Sequence, residues 1–293
     1  MIEPGALRRL DRSTRWELES SVEVQTDVGH PQGLMPWGEH LLVSTVHRDG
    51  RGELLVIDID GAVQQRRDVT DGERFHPGGI SSTRGRCWVP VAEYRPASTT
   101  TVICVDDELR TTASFGFDDH LGAVCDLPDD TLLAVSWGSR TLYRLDHEGA
   151  VLDQRTNPNR FVDHQDLTVV DATTVVATGL GAIAAPDGRV QLGGLTLLDV
   201  DTLAPTLEVP VQAWMPSGRV ATYNGAHVDA PDGVRIRCIV DDQTADIATW
   251  VERPLTFSRP DGLAAPRRAR RDPDGPRASP GAGPRGPRRS NPR

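Results

Sequence analysis

The sequence predicts an all-β fold, a β-propeller of four-stranded blades, and three observations support this prediction. Short alternating or apolar runs bounded by Gly, Asp and Pro recur along the chain, whereas apolar residues at helical spacing are almost absent. A segment that begins with His recurs four times, at offsets of 46, 44 and 44 residues. Four strands in about 44 residues is the period of a propeller blade.

The repeated segment contains the elements of one blade in a fixed order. Its copies begin at His30, His76, His120 and His164. Each copy starts with a short strand, followed by a polar turn, an apolar strand, a loop, a third strand that ends in Asp, and a variable fourth strand. The strands with the clearest pattern cover residues 41–46, 54–59, 87–91, 101–105, 131–136, 141–145, 174–177, 195–200 and 234–240.

A fifth copy starts near Asn224, covers residues 234–240 and 247–252, and lacks a fourth strand. The alternating stretch at residues 16–28 precedes the first blade, and we expect it to supply the outermost strand of the last one. Such closure removes an exposed sheet edge. The count therefore favours five blades, with six as the alternative for a related chain with a longer C-terminus.

Composition divides the chain into an N-terminal extension (1–15), a propeller domain (16–258) and a tail (259–293). We expect the tail to be disordered, because a segment dominated by Arg, Pro and Gly cannot bury a core. It is either an arm that binds RNA or another anionic surface, or an extension without function, such as the product of a shifted reading frame. The second interpretation is favoured, and it implies a damaged fifth blade or a lost sixth.

The charge of the chain disfavours nucleic-acid binding by the propeller domain. The net charge is −10 over 293 residues, but the tail carries +7 and residues 1–258 carry −17. A surface this acidic repels phosphate backbones and favours cations or neutral polar ligands. We therefore expect a small-molecule ligand, while the sequence makes no prediction of oligomeric state.

Two features predict a cytoplasmic protein without a membrane anchor. The chain contains no run of 18 apolar residues, and residues 1–15 are charged and lack the apolar core of an export signal. The four cysteines lie singly in apolar runs and form no CxxC pair. We expect them to be buried, reduced thiols.

Two sets of residues are expected to meet at one face of the propeller. The innermost strands start there with His30, His76, His120 and His164, and the loops after the second strands return there. These loops contribute His47, Glu93, Arg95 and Trp137. Because the four histidines share one position in strands of period two, they should point the same way.

Converging neutral imidazoles are suitable ligands for a divalent transition metal such as Zn, Fe or Mn. In this hypothesis His30, His76, His120 and His164 hold the metal, and Glu93 or Asp119 is the general base for metal-bound water. Arg95, Trp137 and His47 would contact the substrate. The alternative is that each histidine is structural and hydrogen-bonds within its own blade. In the fifth copy, Asn224 stands where the other copies have histidine. A purely structural histidine would be expected in every blade, so this departure favours the functional interpretation.

A second motif, Gly179-Leu180-Gly181-Ala182-Ile183-Ala184, matches the GxGxxA pattern of dinucleotide sites. Such a site requires a helix after the last small residue, and Pro186 with Gly188 predicts a turn instead. A dinucleotide site is therefore not expected.

The segments HPGGI (76–80) and CWVP (87–90) resemble the blades of gluconolactonase-like, NHL-type and streptogramin-lyase-like propellers. With FDDH (117–120) and DHQD (163–166), the run 76–93 looks like a bacterial domain-of-unknown-function family of small propellers. The likeness covers about residues 16–252 and implies the propeller fold. Carotenoid-cleaving oxygenases are similar in one respect, four histidines around iron on a propeller axis, whereas the acidic calcium set of the lactonases is not recognisable here.

The leading functional hypothesis is a metal-dependent hydrolase or lyase that acts on a polar small molecule at the mouth of the central channel. The alternative is a non-catalytic propeller that binds a small ligand or a protein partner, with structural histidines.

Overall fold

The computed structural model describes residues 2, 4–82, 84–158, 161–186, 188–241 and 245–253. These residues form one short α-helix, α1 (Pro4–Leu7), two 3-10 helices (Trp137–Ser139 and Ala221–Tyr223) and 21 strands. The strands are β1 (Arg15–Glu23), β2 (His30–Trp37), β3 (His40–Val46), β4 (Gly52–Ile57), β5 (Val63–Asp68), β6 (Arg74–Pro77), β7 (Gly79–Ser81), β8 (Cys87–Glu93), β9 (Thr100–Val105), β10 (Thr111–Phe117), β11 (Leu121–Asp126), β12 (Leu132–Ser136), β13 (Thr141–Leu145), β14 (Val151–Thr156), β15 (Asp163–Val169), β16 (Thr174–Ala185), β17 (Gly188–Asp199), β18 (Ala204–Val211), β19 (Ala226–Asp229), β20 (Arg235–Asp241) and β21 (Ala245–Arg253). The tail that the sequence predicts to be disordered, 259–293, lies outside the described residues.

The strands form a propeller of five blades, each with four antiparallel strands, which confirms the predicted fold. From the innermost strand outwards, blade 1 is β2-β3-β4-β5, blade 2 is β6-β8-β9-β10, blade 3 is β11-β12-β13-β14, and blade 4 is β15-β16-β17-β18. Blade 5 is β19-β20-β21-β1. The N-terminal strand therefore closes the last blade, as the sequence predicts.

The closure by β1 is extensive. It pairs with β21 from Arg15 opposite Arg253 to Glu23 opposite Asp246. Trp16 is buried in the same apolar cluster as Leu7 and Leu10. The extension at residues 1–15 therefore contributes side chains to the core between blades 4 and 5.

The apolar core lies between the blades, with one cluster at each of the five interfaces. The second strands of the blades contribute most, and every residue of β12 is buried. A strand that is covered on both faces reads as a continuous apolar run rather than an alternating one. This explains why the sequence marks these strands so clearly.

The axis of the propeller is closed by backbone packing. A Cβ atom added to Gly33 would lie 2.8 Å from the Ile80 nitrogen, and one added to Gly225 would lie 2.7 Å from the Gly33 Cα. One added to Gly79 would lie 2.8 Å from the Asp166 Cα. Strand β7 also pairs in parallel with β11, which links blades 2 and 3. Glycine is required here because the innermost strands of different blades touch.

Other features also agree with the sequence predictions. All four cysteines are free and buried. The GxGxxA segment lies in the β16–β17 hairpin, in which Ala184 is opposite Arg189, so no dinucleotide-binding helix follows it. Among the described residues, no helix has the length and apolar character needed to cross a membrane.

Candidate functional site

One face of the propeller, here called the mouth face, collects most of the candidate residues. The innermost strands begin at this face and the second strands end at it, as the pairing of His30 with Val46 and of His76 with Ala92 shows. The loops after the second strands, residues 47–51, 94–99 and 137–140, therefore surround the start of the innermost strands. The antiparallel order of each blade produces this arrangement.

Four rings form a contiguous group at blades 2 and 3, here called the imidazole–aromatic cluster: His76, Tyr94, His120 and Trp137. Tyr94 stacks on His76 with ring centroids 4.6 Å apart. Trp137 meets His120 edge-on at 4.6 Å, and the two imidazoles are 5.7 Å apart. Tyr94 is 60% exposed while His120 is buried, so the cluster runs from the surface inwards.

The hydrogen bonds of His120 define which ring nitrogen can accept a proton. Its Nδ1 lies 3.0 Å from the carbonyl oxygen of Arg95 and 3.1 Å from the hydroxyl of Ser98. A carbonyl only accepts, so Nδ1 carries the proton and Nε2 carries the lone pair. Burial lowers the pKa of His120, which keeps the ring neutral at pH 7.

His76 is buried and has an unsatisfied ring nitrogen. It is 7% exposed, and its Nδ1 has no hydrogen-bond partner among the described residues. Burial and the neighbouring imidazoles of His120 and His30 lower its pKa to about 3. A buried polar atom without a partner is costly. A ligand that hydrogen-bonds to this nitrogen would remove that cost.

The two carboxylates predicted as general bases are fully engaged in structural hydrogen bonds. Glu93 accepts from the Nε of Arg95 at 2.6 Å and from the backbone and hydroxyl of Thr99 at 3.2 and 3.1 Å. These bonds hold its pKa below its usual range. Asp119 accepts from the backbone N–H of His120 at 2.8 Å and from the Tyr143 hydroxyl at 2.9 Å. Glu93 therefore orders the loop at 94–99, and Asp119 positions His120.

Arg95 and Trp137, predicted to contact substrate, both lie at the mouth face. Trp137 is part of the imidazole–aromatic cluster. The Arg95 guanidinium is bound to Glu93 and its side chain is 63% exposed. Its carbonyl oxygen, rather than its charge, reaches His120.

His30 occupies a second part of the mouth face, between blades 5 and 1. Its Nδ1 lies 2.7 Å from Oδ2 of Asp241, and Oδ1 of Asp241 accepts from Arg219 at 2.7 Å. The Arg219 guanidinium lies over the Tyr223 ring at 4.7 Å from its centroid. Tyr223 in turn contacts His30 edge-on at 5.9 Å. These contacts fix the His30 ring in one orientation.

A cavity of about 770 Å³ opens beside this histidine. Its lining includes His30, His47 and Asp241. The Nε2 of His47 is bound at 2.8 Å to Glu53, which is buried. His47 is therefore at the cavity wall, as a substrate-binding residue would be, but it does not belong to the imidazole–aromatic cluster.

His164 belongs neither to the imidazole–aromatic cluster nor to the part of the mouth face around His30. Its Nε2 lies 3.2 Å from the Thr196 hydroxyl on β17, and its Nδ1 is buried without a partner among the described residues. Burial lowers its pKa to about 4. His164 thus hydrogen-bonds within its own blade, which is the structural role that the sequence leaves open as the alternative.

β-Bulges interrupt the innermost strands of blades 1 to 4 close to each of the four histidines. The irregularity falls at 31–33 in blade 1 and at 74–76 in blade 2. It falls at 121–123 in blade 3 and at 164–166 in blade 4. Each bulge adds one residue and changes the face to which neighbouring side chains point. Equal spacing in sequence therefore does not by itself fix a common direction for the four side chains.

The predicted metal ligands do not fit a shared metal ion. The rings of His76 and His120 are 5.7 Å apart, whereas His30 is bound to Asp241 and His164 to Thr196. Within the described ranges, no group of three or more His, Cys, Asp or Glu side chains is arranged to hold a metal. A zinc or iron site would need three or four converging ligands.

Sequence reasoning missed one residue of the mouth face, Asp241, and one of the axis, Asp166. Asp241 ends the second strand of blade 5, as Glu93 does in blade 2, so the repeat could have identified it. Asp166 lies at the axis and accepts from the backbone of Leu34 and Ile80, a role that only the ring geometry reveals.

Comparison with known proteins identifies a family and a fold. Residues 5–252 match the family of unknown function DUF6454. No curated protein matches the sequence. Among solved structures, the tail fibre of Staphylococcus aureus phage P68 is 9% identical with a TM-score of 0.52, covering 84% of this chain and 54% of its own.

Two enzymes are also similar in fold. A streptogramin B lyase is 8% identical with a TM-score of 0.47, covering 83% of this chain and 100% of its own. The PQQ-bound aldose sugar dehydrogenase of Streptomyces coelicolor is 10% identical with a TM-score of 0.46, covering 83% and 99%. Likeness at these identities extends to the propeller fold alone, since one fold carries many activities.

Proposed function

The chain belongs to the DUF6454 family of unknown function, and we propose a function for it from the geometry of its mouth face. The mouth face binds a polar small molecule, and the protein is a hydrolase or lyase that works by acid–base chemistry. The observation that carries this proposal is the imidazole–aromatic cluster. It combines a buried histidine whose Nδ1 has no partner among the described residues, a neutral histidine whose Nε2 carries the lone pair, and two aromatic rings.

The parts of the cluster have different roles in this proposal. His76 hydrogen-bonds the ligand, which satisfies its buried Nδ1. The rings of Tyr94 and Trp137, 5.9 Å apart, contact the ligand's apolar faces. His120 accepts a proton at Nε2, because its Nδ1–H is committed to the Arg95 carbonyl. Hydrolysis and elimination both need such an acceptor.

The four-histidine metal centre is not carried into this proposal. To bind one metal ion, His30 would have to break its hydrogen bond to Asp241, and His164 would have to break its hydrogen bond to Thr196. No step is therefore assigned to a metal, and Glu93 and Asp119 are assigned to support rather than to proton transfer.

The test is NMR of the full chain with ¹⁵N-labelled histidine, titrated with pools of uncharged and cationic polar metabolites. A pool that contains the ligand should shift the ring resonances of His76 and His120 and leave that of His164 in place. Trp137→Ala should abolish the shift, whereas Trp214→Ala, at a 43% exposed position outside the cluster, should retain it. A shift that persists in Trp137→Ala, or no shift with any pool, contradicts the proposal.

The same sample tests the metal hypothesis. One equivalent of Zn²⁺ should produce no common shift of the rings of His30, His76, His120 and His164. A common shift at that stoichiometry would restore the metal centre and displace the acid–base proposal.

A non-catalytic binding propeller is the second candidate function, and the engagement of both carboxylates favours it. Every oxygen of Glu93 and Asp119 already accepts a hydrogen bond, so neither is free to act as a base. In this case the ligand would shift the cluster resonances and remain chemically unchanged over hours in the same tube. The four free, buried thiols support a reducing compartment such as the cytoplasm for either function.

A further inference from the structure

The structure assigns a general base to the interface between blades 5 and 1: we propose that His30, positioned by Asp241, removes a proton from a molecule bound in the 770 Å³ cavity. This inference goes beyond the proposed function, because it places a second proton acceptor at a site outside the imidazole–aromatic cluster. It also restricts the substrate to uncharged or cationic molecules.

The contact with Asp241 sets the tautomer of His30. A carboxylate only accepts, so the ring nitrogen 2.7 Å away, Nδ1, carries the proton and Nε2 is left with its lone pair. Asn224 also lies 3.3 Å from Nδ1, but its amide donates to the Pro31 carbonyl at 2.7 Å. Among the described residues, Nε2 has no partner. A carboxylate that orients a histidine and leaves Nε2 free is the arrangement used for proton transfer.

Three separate parts of the chain hold this pair in place. His30 begins the innermost strand of blade 1, Asp241 ends the second strand of blade 5, and Arg219 comes from the connection between blades 4 and 5. Arg219 occupies the second oxygen of Asp241 at 2.7 Å, so the carboxylate cannot rotate freely. A base that is fixed from three sides is preorganised for its task.

The cavity provides the place for a substrate. Its volume lies within the range of about 300–1,000 Å³ that is usual for small-molecule sites. Its lining contains the four carboxylates of Glu23, Asp27, Asp49 and Asp241, and the two guanidinium groups of Arg48 and Arg51. Arg51 is already paired with Glu53 and Asp49, and Asp241 is paired with Arg219. The two carboxylates of Glu23 and Asp27 then remain against the guanidinium of Arg48. The excess of carboxylates disfavours an anionic substrate and favours an uncharged or cationic one.

The chemical step is tested with p-nitrophenyl acetate, an uncharged ester. A water molecule passes one proton to Nε2 of His30 while its oxygen forms a bond to the acetyl carbon. The bond from that carbon to the phenolic oxygen breaks, and p-nitrophenolate leaves with the electron pair. His30 then releases the proton to solvent, and acetic acid and p-nitrophenolate are the products.

His30→Gln should lower kcat/KM for this ester by about 100-fold, the lower limit of what a general base contributes. Asp241→Asn should lower kcat by about tenfold or more and leave KM for this uncharged ester unchanged, because Asn has the shape of Asp and keeps the form of the cavity wall while it disturbs the tautomer. The monoester of succinate with p-nitrophenol, which is anionic, should react more slowly than the acetate. Both variants are checked for wild-type circular dichroism and melting temperature.

The matched control is His147→Gln. His147 also pairs with a carboxylate, at 3.3 Å from Asp126, but it lies in the turn between β13 and β14, at the face opposite the mouth. Its replacement should leave the rate unchanged. A fall in the His147 variant equal to that in the His30 variant would contradict the assignment.

The outcomes separate this inference from the proposed function. Wild-type activity in His30→Gln, or a wild-type rate no greater than that of free imidazole at the same concentration, overturns the inference. If His120→Gln removes the activity and His30→Gln does not, the base lies in the imidazole–aromatic cluster. In that case the proposed function stands and the inference fails.

Discussion

Individual buried histidines determine how the propeller responds to acid. His164 is 4% exposed and burial lowers its pKa to about 4, while the unfolded chain binds that proton near pH 6.5. The folded pKa is therefore below the unfolded one. Between about pH 6.5 and pH 4 the unfolded state binds more protons, so its free energy falls relative to the native state.

His164→Gln should flatten this pH dependence. Between pH 6.5 and pH 4.5 the wild-type protein should lose about 2–3 kcal/mol through His164, and the variant should recover that amount. Urea unfolding at a series of pH values measures it. A comparison at pH 8 isolates the lost hydrogen bond to Thr196. Equal slopes in the two proteins would show that His164 titrates normally.

At the scale of the element, the innermost strands tolerate no side chain where they touch. Gly79→Ala would place its Cβ against the backbone of Gln165 and Asp166, which cannot move without displacing β15. We expect the free energy of unfolding to fall by about 1–3 kcal/mol.

The matched control for this prediction is Gly116→Ala. Gly116 lies in the outermost strand β10 with no atom within 4 Å of an added Cβ, so the change should stay within about 0.5 kcal/mol. Both values come from urea unfolding followed by fluorescence. A Gly79 variant as stable as the Gly116 variant would mean that the axis is less tightly packed than described.

The strands and their order were predictable from sequence, whereas the direction of the histidines was not. Apolar runs such as 131–136 mark strands because their residues are covered on both faces. A bulge leaves no such signal, since it adds one residue at a place decided by packing between blades. The bulge between His164 and Asp166 is an example. It adds one residue to the strand, and Asp166 rather than His164 then lies at the axis.

At the scale of the whole molecule, Asp166 connects the blades. Its carboxylate is fully buried and accepts backbone N–H groups of Leu34 in blade 1, Ile80 in blade 2 and Ala226 in blade 5, at 2.7–3.0 Å. A fourth comes from Leu167 at 2.9 Å. Burial raises the pKa of Asp166, and these four bonds act against that shift.

Asp166→Asn should destabilise the whole ring by about 3 kcal/mol or more. The amide nitrogen would face two N–H donors, which leaves these donors buried and unsatisfied. Asp146→Asn is the control, because Asp146 also accepts two backbone N–H groups, at 3.0 and 2.8 Å, but does so within one exposed turn that suits Asn. Thermal unfolding of both variants checks this, and equal losses would show that Asp166 is not a link between blades.

The pairing of β1 with β21 also orders events in time. As the chain leaves the ribosome, the strand at residues 15–23 is made first, but its partner at residues 245–253 follows more than two hundred residues later. Blades 1 to 4 can each assemble from consecutive strands, whereas the ring stays open until the last hairpin arrives. If synthesis stops before that point, the propeller is incomplete. Its unpaired edge strands can then pair with strands of other chains.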